Sequence, residues 1–72
     1  MVVLVASGAR EPRQITGALI DANDDGFRVR HPYEGFQPGD LVSFIHRMRE
    51  GTARVVWHKA LGSDFETGFS YC

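Results

Sequence analysis

The sequence predicts an all-β fold, a small six-stranded antiparallel β-barrel formed by one domain over residues 1–72. Eight glycines and three prolines break the chain so often that no long helix is expected. The segments between these breakers are rich in valine, isoleucine and aromatic residues, which suit half-buried strands. Short strands in so small a chain would leave exposed edges, and closing the sheet into a barrel removes those edges.

Six strands are predicted, each bounded by glycine, proline or polar residues that favour turns. In chain order the predicted strands are Val2–Ala6, Ile15–Asp21, Phe27–His31, Leu41–Met48, Thr52–His58 and Glu66–Tyr71. The loops between them are predicted at Ser7–Arg13, Ala22–Gly26, Pro32–Gly39, Arg49–Gly51 and Leu61–Phe65.

Alternation along two of these strands predicts which side chains share a face. In the third strand, one face has Phe27, Val29 and His31, and the other has Arg28 and Arg30. In the fifth strand, one face has Ala53, Val55 and Trp57, and the other has Arg54, Val56 and His58. So small a barrel needs bulky side chains in its core. The rings expected there are Phe27, Phe44, Trp57 and Phe69.

The segment Asp40–Glu50 has two interpretations. Apolar residues at positions 41, 42, 44, 45 and 48 fit a helical stripe, for which Asp40 would be the N-cap. The β-branched Val42 and Ile45 favour a strand instead. The run Arg54–Trp57 that follows could pair with such a strand through a short turn, so a strand is the preferred interpretation.

The charge pattern indicates whether a nucleic acid is to be expected as the partner. The net charge is −1, but residues 27–60 hold six basic and three acidic residues, a balance of +3. Those basic residues are Arg28, Arg30, Arg47, Arg49, Arg54 and Lys59. The balance lacks the dense cationic stripe of a duplex-DNA-binding protein, so nucleic acid is not the expected partner. A nucleic-acid-binding barrel of the SH3 or OB type remains the alternative.

Membrane insertion and secretion are not expected. The sequence has no apolar run near the 18 or so residues of a membrane span, and its first residues lack the pattern of a signal peptide. The single cysteine, Cys72, can form no internal disulfide, so a cytoplasmic location is expected.

An ordered set of short motifs runs through most of the chain. It contains a strand that ends in an aspartate-to-glycine turn, an apolar strand, a Pro-Gly-Asp strand entry, a Val-Val-Trp strand and a final Gly-aromatic strand. In this sequence these are Gly17–Asp21, Asp21–Gly26, Phe27–Arg30, Pro38–Val42, Ala53–Trp57 and Thr67–Phe69. The stretch Thr16–Tyr71 resembles a PilZ domain, a family with a six-stranded β-barrel fold, and this favours a strand at Leu41–Met48.

The resemblance implies a bacterial cytoplasmic signalling module related to cyclic di-GMP. The family binds this nucleotide with an Asp-x-Ser-x-x-Gly turn and an Arg-x-x-x-Arg stretch upstream of the first strand. Here Asp21 and Gly26 match the turn, and Asn23 stands in place of the serine. Arg10 and Arg13 are the candidates for the arginine motif, but they follow the first strand and are three positions apart.

The chemistry of these residue types is consistent with such a ligand. Arginine can grip a phosphate or the guanine edge, and a carboxylate matches the guanine N–H groups. Gly26 is expected to let the turn adopt a positive φ. Asp21 could instead be the residue that caps the turn, and this role is preferred for it. Because the chain begins at its first strand, we expect a natural start and a domain that binds the nucleotide weakly or not at all.

A protein-interaction adaptor is therefore the expected function. Tyr33 and Phe36, in the Pro32–Gly39 loop, are candidates for a partner contact, and covering the barrel end is their alternative role. No arrangement typical of an enzyme occurs, so neither catalysis nor a cofactor is expected. The histidines lack metal-site spacing, so no metal is expected, although His46 and His58 could face each other across the fourth and fifth strands.

Overall fold

The structure is a computed structural model that describes residues 1–6 and 13–72. Its strands are β1 (Val2–Ala6), β2 (Arg13–Ala22), β3 (Gly26–His31), β4 (Leu41–His46), β5 (Arg49–Leu61) and β6 (Asp64–Tyr71). Every neighbouring pair is antiparallel, and the order β1-β2-β3-β6-β5-β4 closes on itself because β4 pairs with β1. The predicted six-stranded barrel is confirmed. The described segments hold no helix that is long and apolar enough to span a membrane.

Several strands extend further than predicted. Residues expected in loops but found in strands are Arg13, Ala22, Gly26, Arg49–Gly51, Leu61, Asp64 and Phe65. Two residues expected in the fourth strand, Arg47 and Met48, instead form the turn to β5. The reason is that two residues suffice to connect antiparallel strands, here Arg47–Met48 and Gly62–Ser63, so pairing continues almost to each turn.

The barrel interior is filled by inward-facing aliphatic and aromatic side chains. The buried apolar residues are Val2, Leu4, Ala6, Ile15, Phe27, Val29, Phe36, Val42, Phe44, Ala53, Val55 and Phe69. Three of the four rings predicted for the core, Phe27, Phe44 and Phe69, are among them. The upper end of the barrel, where β3 leads into β4 through residues 32–40, is closed by Phe36. The lower end contains the turns from β2 to β3 and from β4 to β5.

A bulge in β5 reverses the faces predicted for its second half. The register passes from Val55 opposite Phe69 to Trp57 opposite Gly68, which leaves Val56 as an extra residue. An extra residue shifts the alternation by one position, so every side chain beyond it changes face. Trp57 therefore lies on the outside of the barrel, half-buried, and its prediction as a core residue is wrong.

The same bulge turns His58 inward, where it joins a buried hydrogen-bond network at the upper end. His31 Nδ1 accepts a hydrogen bond from the backbone N–H of Tyr33, so its Nε2 donates to Thr67 Oγ1, 2.6 Å away. The Thr67 hydroxyl then donates to Nδ1 of His58 at 2.7 Å. Among residues 1–6 and 13–72, the buried Nε2 of His58 finds no partner.

The third histidine lies at the other end of the barrel, so the predicted approach of His46 to His58 is wrong. His46 pairs with Arg49 in the β4–β5 register, and its Nε2 lies 3.1 Å from the Tyr71 hydroxyl. The Arg49 guanidinium lies over the Tyr71 ring, 4.0 Å from its centroid. Burial, together with the charges of Arg49 and Arg47, lowers the pKa of His46.

We expect His31 to make the fold sensitive to acid. Burial, with a smaller contribution from His58, lowers the pKa of His31 from 6.5 to about 4, although Asp64 opposes the change. The unfolded chain therefore takes up a proton that the folded chain refuses. The resulting stability is complete above pH 6.5 and falls by about 3 kcal/mol as the pH drops to 4.

Urea unfolding across that pH range, in wild type and in His31→Gln, measures this effect. The variant is expected to be less stable above pH 6.5 but to lose less stability than wild type as the pH falls to 4. An unchanged slope of unfolding free energy against pH in the variant would contradict the assignment.

Candidate functional site

A groove crosses the outer wall of the barrel where β3, β6 and β5 lie side by side, and it continues to the turn between β2 and β3. We call it the Trp57 groove. Its volume is about 390 Å³, and its lining includes Asp21, Asn23, Gly26, Val56, Trp57 and Gly68. Three of the residues predicted for a ligand, Asp21, Asn23 and Gly26, therefore lie together along one rim of the groove.

Gly68 forms the floor of the groove, because the indole ring of Trp57 packs directly against it. The register pairs Gly68 with Trp57 on β5 and with Arg28 on β3, so the three residues form one outward-facing row. A Cβ atom on Gly68 would overlap Nε1 and Cε2 of the indole. Glycine thus permits the ring to lie close to the sheet. Beside the ring, the bulged Val56 is 54% exposed.

Asp21 reaches the rim because β2 also contains a bulge, at Ile20. The register passes from Leu19 opposite Val29 to Asp21 opposite Arg28, which turns Asp21 outward. Arg28 Nε donates to Oδ1 of Asp21 at 2.9 Å, and its Nη2 donates to Oδ2. These hydrogen bonds lower the pKa of Asp21, so the carboxylate is ionised and already bound by an arginine.

Asn23, and not Asp21, closes the turn between β2 and β3. Its Oδ1 accepts the backbone N–H groups of Asp25 at 2.8 Å and Gly26 at 3.0 Å. The turn-capping role predicted for Asp21 is therefore wrong and belongs to Asn23. The positive φ predicted for Gly26 is also wrong. Glycine is needed there because a Cβ would overlap the carbonyl oxygen of Phe69.

Replacing Asn23 with alanine is expected to destabilise the protein by about 1–2 kcal/mol, because two backbone N–H groups lose their acceptor. Asn23→Asp keeps the acceptor oxygen and is expected to unfold close to wild type. Asp21→Ala removes only an exposed ion pair, so it should have the smaller effect. Urea unfolding of the three variants measures the difference, and an Asp21→Ala loss that exceeds the Asn23→Ala loss would contradict it.

Of the two arginines implied by the resemblance, the one that the structure describes, Arg13, is not brought to the aspartate turn. Arg13 is the first residue of β2, at the upper end, and Asp21 lies near the last residue of the same strand. Eight positions along a strand correspond to roughly 25 Å at about 3.3 Å per residue, which exceeds the reach of an arginine side chain. The guanidinium of Arg13 lies over the Tyr33 ring, 5.6 Å from its centroid. Arg10 lies outside the described residues.

One member of the aromatic pair predicted as a partner contact, Phe36, has a different role. Phe36 is only 3% exposed, and its ring packs edge-on against His31 at 5.1 Å and Tyr33 at 4.9 Å. Phe36 therefore covers the barrel end, which was the alternative, and its prediction as an exposed contact is wrong. Tyr33 is half-buried against it.

The basic residues of the middle segment do not form a continuous cationic surface. On the wall beside the Trp57 groove, three ion pairs form between neighbouring strands: Arg28–Asp21, Arg30–Asp64 and Lys59–Glu66. Arg54 donates to the Gly39 carbonyl oxygen at 3.2 Å. Arg47 and Arg49 lie elsewhere, at the lower end of the barrel. Three of the wall's cations are thus matched by carboxylates.

The exposed Val56 and the half-buried Trp57, which form the apolar side of the groove, were not predicted as site residues. Strict alternation assigned Trp57 to the core, because a bulge is a property of two paired strands and leaves no mark in one strand alone. One signal was available in the sequence. A glycine inside a strand, here Gly68, indicates close approach by another group, and the nearby tryptophan was a candidate for that group.

Comparisons of this chain with protein-family models, with curated proteins and with solved structures find no match. The site is therefore interpreted from its own chemistry. Among the residues that the structure describes, no three histidine, cysteine, aspartate or glutamate side chains are gathered in a way that could hold a metal ion. What the Trp57 groove offers is an aromatic ring, a bulged aliphatic side chain and a rim of carboxylate and amide groups.

Proposed function

We propose that this chain is a PilZ-like signalling module of the bacterial cytoplasm that acts as a protein-interaction adaptor and contacts its partner through the Trp57 groove. The observation that carries the proposal is the half-buried Trp57 beside the exposed Val56 on an otherwise ion-paired wall. Large aromatic side chains on a surface are the residues that most often dominate binding energy between proteins.

Three features argue against cyclic di-GMP as a tight ligand of the groove. The carboxylate of Asp21 is engaged by Arg28, and Oδ1 of Asn23 is engaged by its own turn. The exposed Asp24 and Asp25 add negative charge, which repels a dianionic ligand. Arg13, one of the two arginines predicted for the motif, lies at the far end of β2 from Asp21.

An amide chemical-shift titration with cyclic di-GMP tests this part of the proposal. We expect no shift at Asp21–Gly26 or at Arg13 with the ligand at millimolar concentration. Saturable shifts at both places would show that the protein is a nucleotide receptor, and the adaptor function would then be rejected.

Nucleic acid is the second candidate partner. It is less well supported than a protein, because Arg28, Arg30 and Lys59 are already paired with carboxylates. Phosphate binding depends on cations that are free to replace counterions, and binding of this kind weakens steeply with salt. We expect the protein not to retard single-stranded RNA or DNA at low salt. Salt-sensitive retardation would favour this alternative over the adaptor.

A further inference from the structure

We propose that the Trp57 groove takes an extended, proline-containing segment of a partner protein, with a basic side chain directed at Asp25. The inference rests on the proposed adaptor function and names the chemistry of the partner. The inference follows from the size of the groove, from the Trp57 ring and the Val56 side chain on one side, and from the negative charge of Asp25 on the other.

The closed topology limits the form of the partner. β6, the central strand of the groove wall, is paired with β3 on one edge and with β5 on the other, so a partner cannot add a strand within this wall. The groove is shallow and open to solvent, with a volume of about 390 Å³. A short extended segment fits this space.

The apolar side of the groove suits proline. Trp57 is held close to the sheet by Gly68, and Val56 lies beside it with half of its surface exposed. The backbone at Trp57 is held by its pairing with Gly68, so little of its freedom is lost when a ligand binds. A polyproline segment is itself extended and pre-organised, and aromatic-lined grooves are the surfaces that such segments recognise.

The charge at the other rim favours a basic residue. The charged side chains that line the groove are Asp21, Arg28 and Asp25, and the first two form an ion pair with each other. The carboxylate of Asp25 is exposed, and Asp24 is next to it. Its backbone is fixed, because its N–H donates to Asn23 and its carbonyl accepts from the N–H of Tyr71. The rim therefore presents a pre-positioned negative charge.

Trp57 is the only tryptophan in the chain, so its fluorescence reports on the groove alone. The probes are the peptide acetyl-Ala-Pro-Pro-Arg-Pro-Pro-Ala-amide and the same peptide with glutamate in place of arginine. We expect both to change the fluorescence, with the arginine peptide binding about tenfold more tightly, a difference of roughly 1.4 kcal/mol. The matched variants are Asp25→Asn and Glu34→Gln, since Glu34 is exposed in the upper loop, away from the groove.

Asp25→Asn is expected to remove most of the preference for the arginine peptide, and Glu34→Gln is expected to leave it unchanged. Equal affinity for the two peptides, tighter binding of the glutamate peptide, or no fluorescence change at millimolar peptide would overturn the inference. None of these results affects the adaptor function, which fails instead if cyclic di-GMP shifts the amides of Asp21–Gly26 and Arg13.

Discussion

Replacing Phe27 with alanine is expected to remove most of the stability of this protein. Phe27 is 3% exposed, and its ring stacks on Phe69 at 4.8 Å and contacts Phe44 at 4.7 Å. The rings of His46 and Tyr71 lie within 5.5 Å of it. Truncation of a buried phenylalanine costs about 3–5 kcal/mol. A domain of this length has a total stability of roughly 4–11 kcal/mol, at about 0.05–0.15 kcal/mol per residue.

Urea unfolding followed by circular dichroism measures this loss, and Phe65→Ala is the matched control. Phe65 is half-buried at the upper end, where its ring stacks on His58 at 5.1 Å. Its truncation removes contacts but opens no cavity inside the barrel, so we expect a clearly smaller effect. Equal losses for the two variants would contradict the position of Phe27 at the centre of the core.

Gly26→Ala is expected to be nearly as damaging, although it adds one methyl group only. The new Cβ would overlap the carbonyl oxygen and carbon of Phe69, and backbone atoms in a paired strand cannot move aside without breaking the pairing of β3 with β6. The Phe69 ring is in turn fixed against Phe27. We expect a loss of about 3 kcal/mol or more, at the upper limit for overpacking.

Comparing Gly68→Ala with Gly26→Ala distinguishes the cost of overlap with a side chain from the cost of overlap with the backbone. In Gly68→Ala, the new Cβ would meet the Trp57 indole, which can swing outward into solvent. We expect a loss of about 1 kcal/mol, together with a changed fluorescence spectrum, because the indole leaves the sheet. Urea unfolding and tryptophan emission measure both effects. A Gly68→Ala variant that is less stable than Gly26→Ala would contradict the packing described for these two glycines.

Composition and alternation were sufficient to predict the barrel. The first strand, Val2–Ala6, was predicted with its observed ends, and the inward face of β3, with Phe27, Val29 and His31, was also correct. These predictions rest on side-chain polarity along a single strand, which burial in a closed barrel enforces at every second position. The strand ends were less accurate, because tight two-residue turns extended the pairing.

The candidate site was predicted in part. The turn-capping role predicted for Asp21 and the core position predicted for Trp57 were both wrong, and for the same reason. Bulges at Ile20 and Val56 shift the alternation, so Asp21 meets Arg28 and Trp57 leaves the core. Whether an extra residue is accommodated depends on the pairing with the partner strand, and the pattern of one strand alone does not reveal that pairing. The separation of Arg13 from Asp21 likewise follows from strand length and register.

The outward position of Trp57 against Gly68 is the central claim, because the groove, its proposed partner and the inward turn of His58 all depend on it. The proton spectrum of the wild-type protein tests it through the Hα resonances of Gly68. If the claim is correct, these resonances are shifted strongly upfield by the indole ring current and show nuclear Overhauser contacts to the Trp57 ring. Gly68 Hα resonances at ordinary positions, with Trp57 contacts to the core methyl groups of Val29 and Val55 instead, would contradict it.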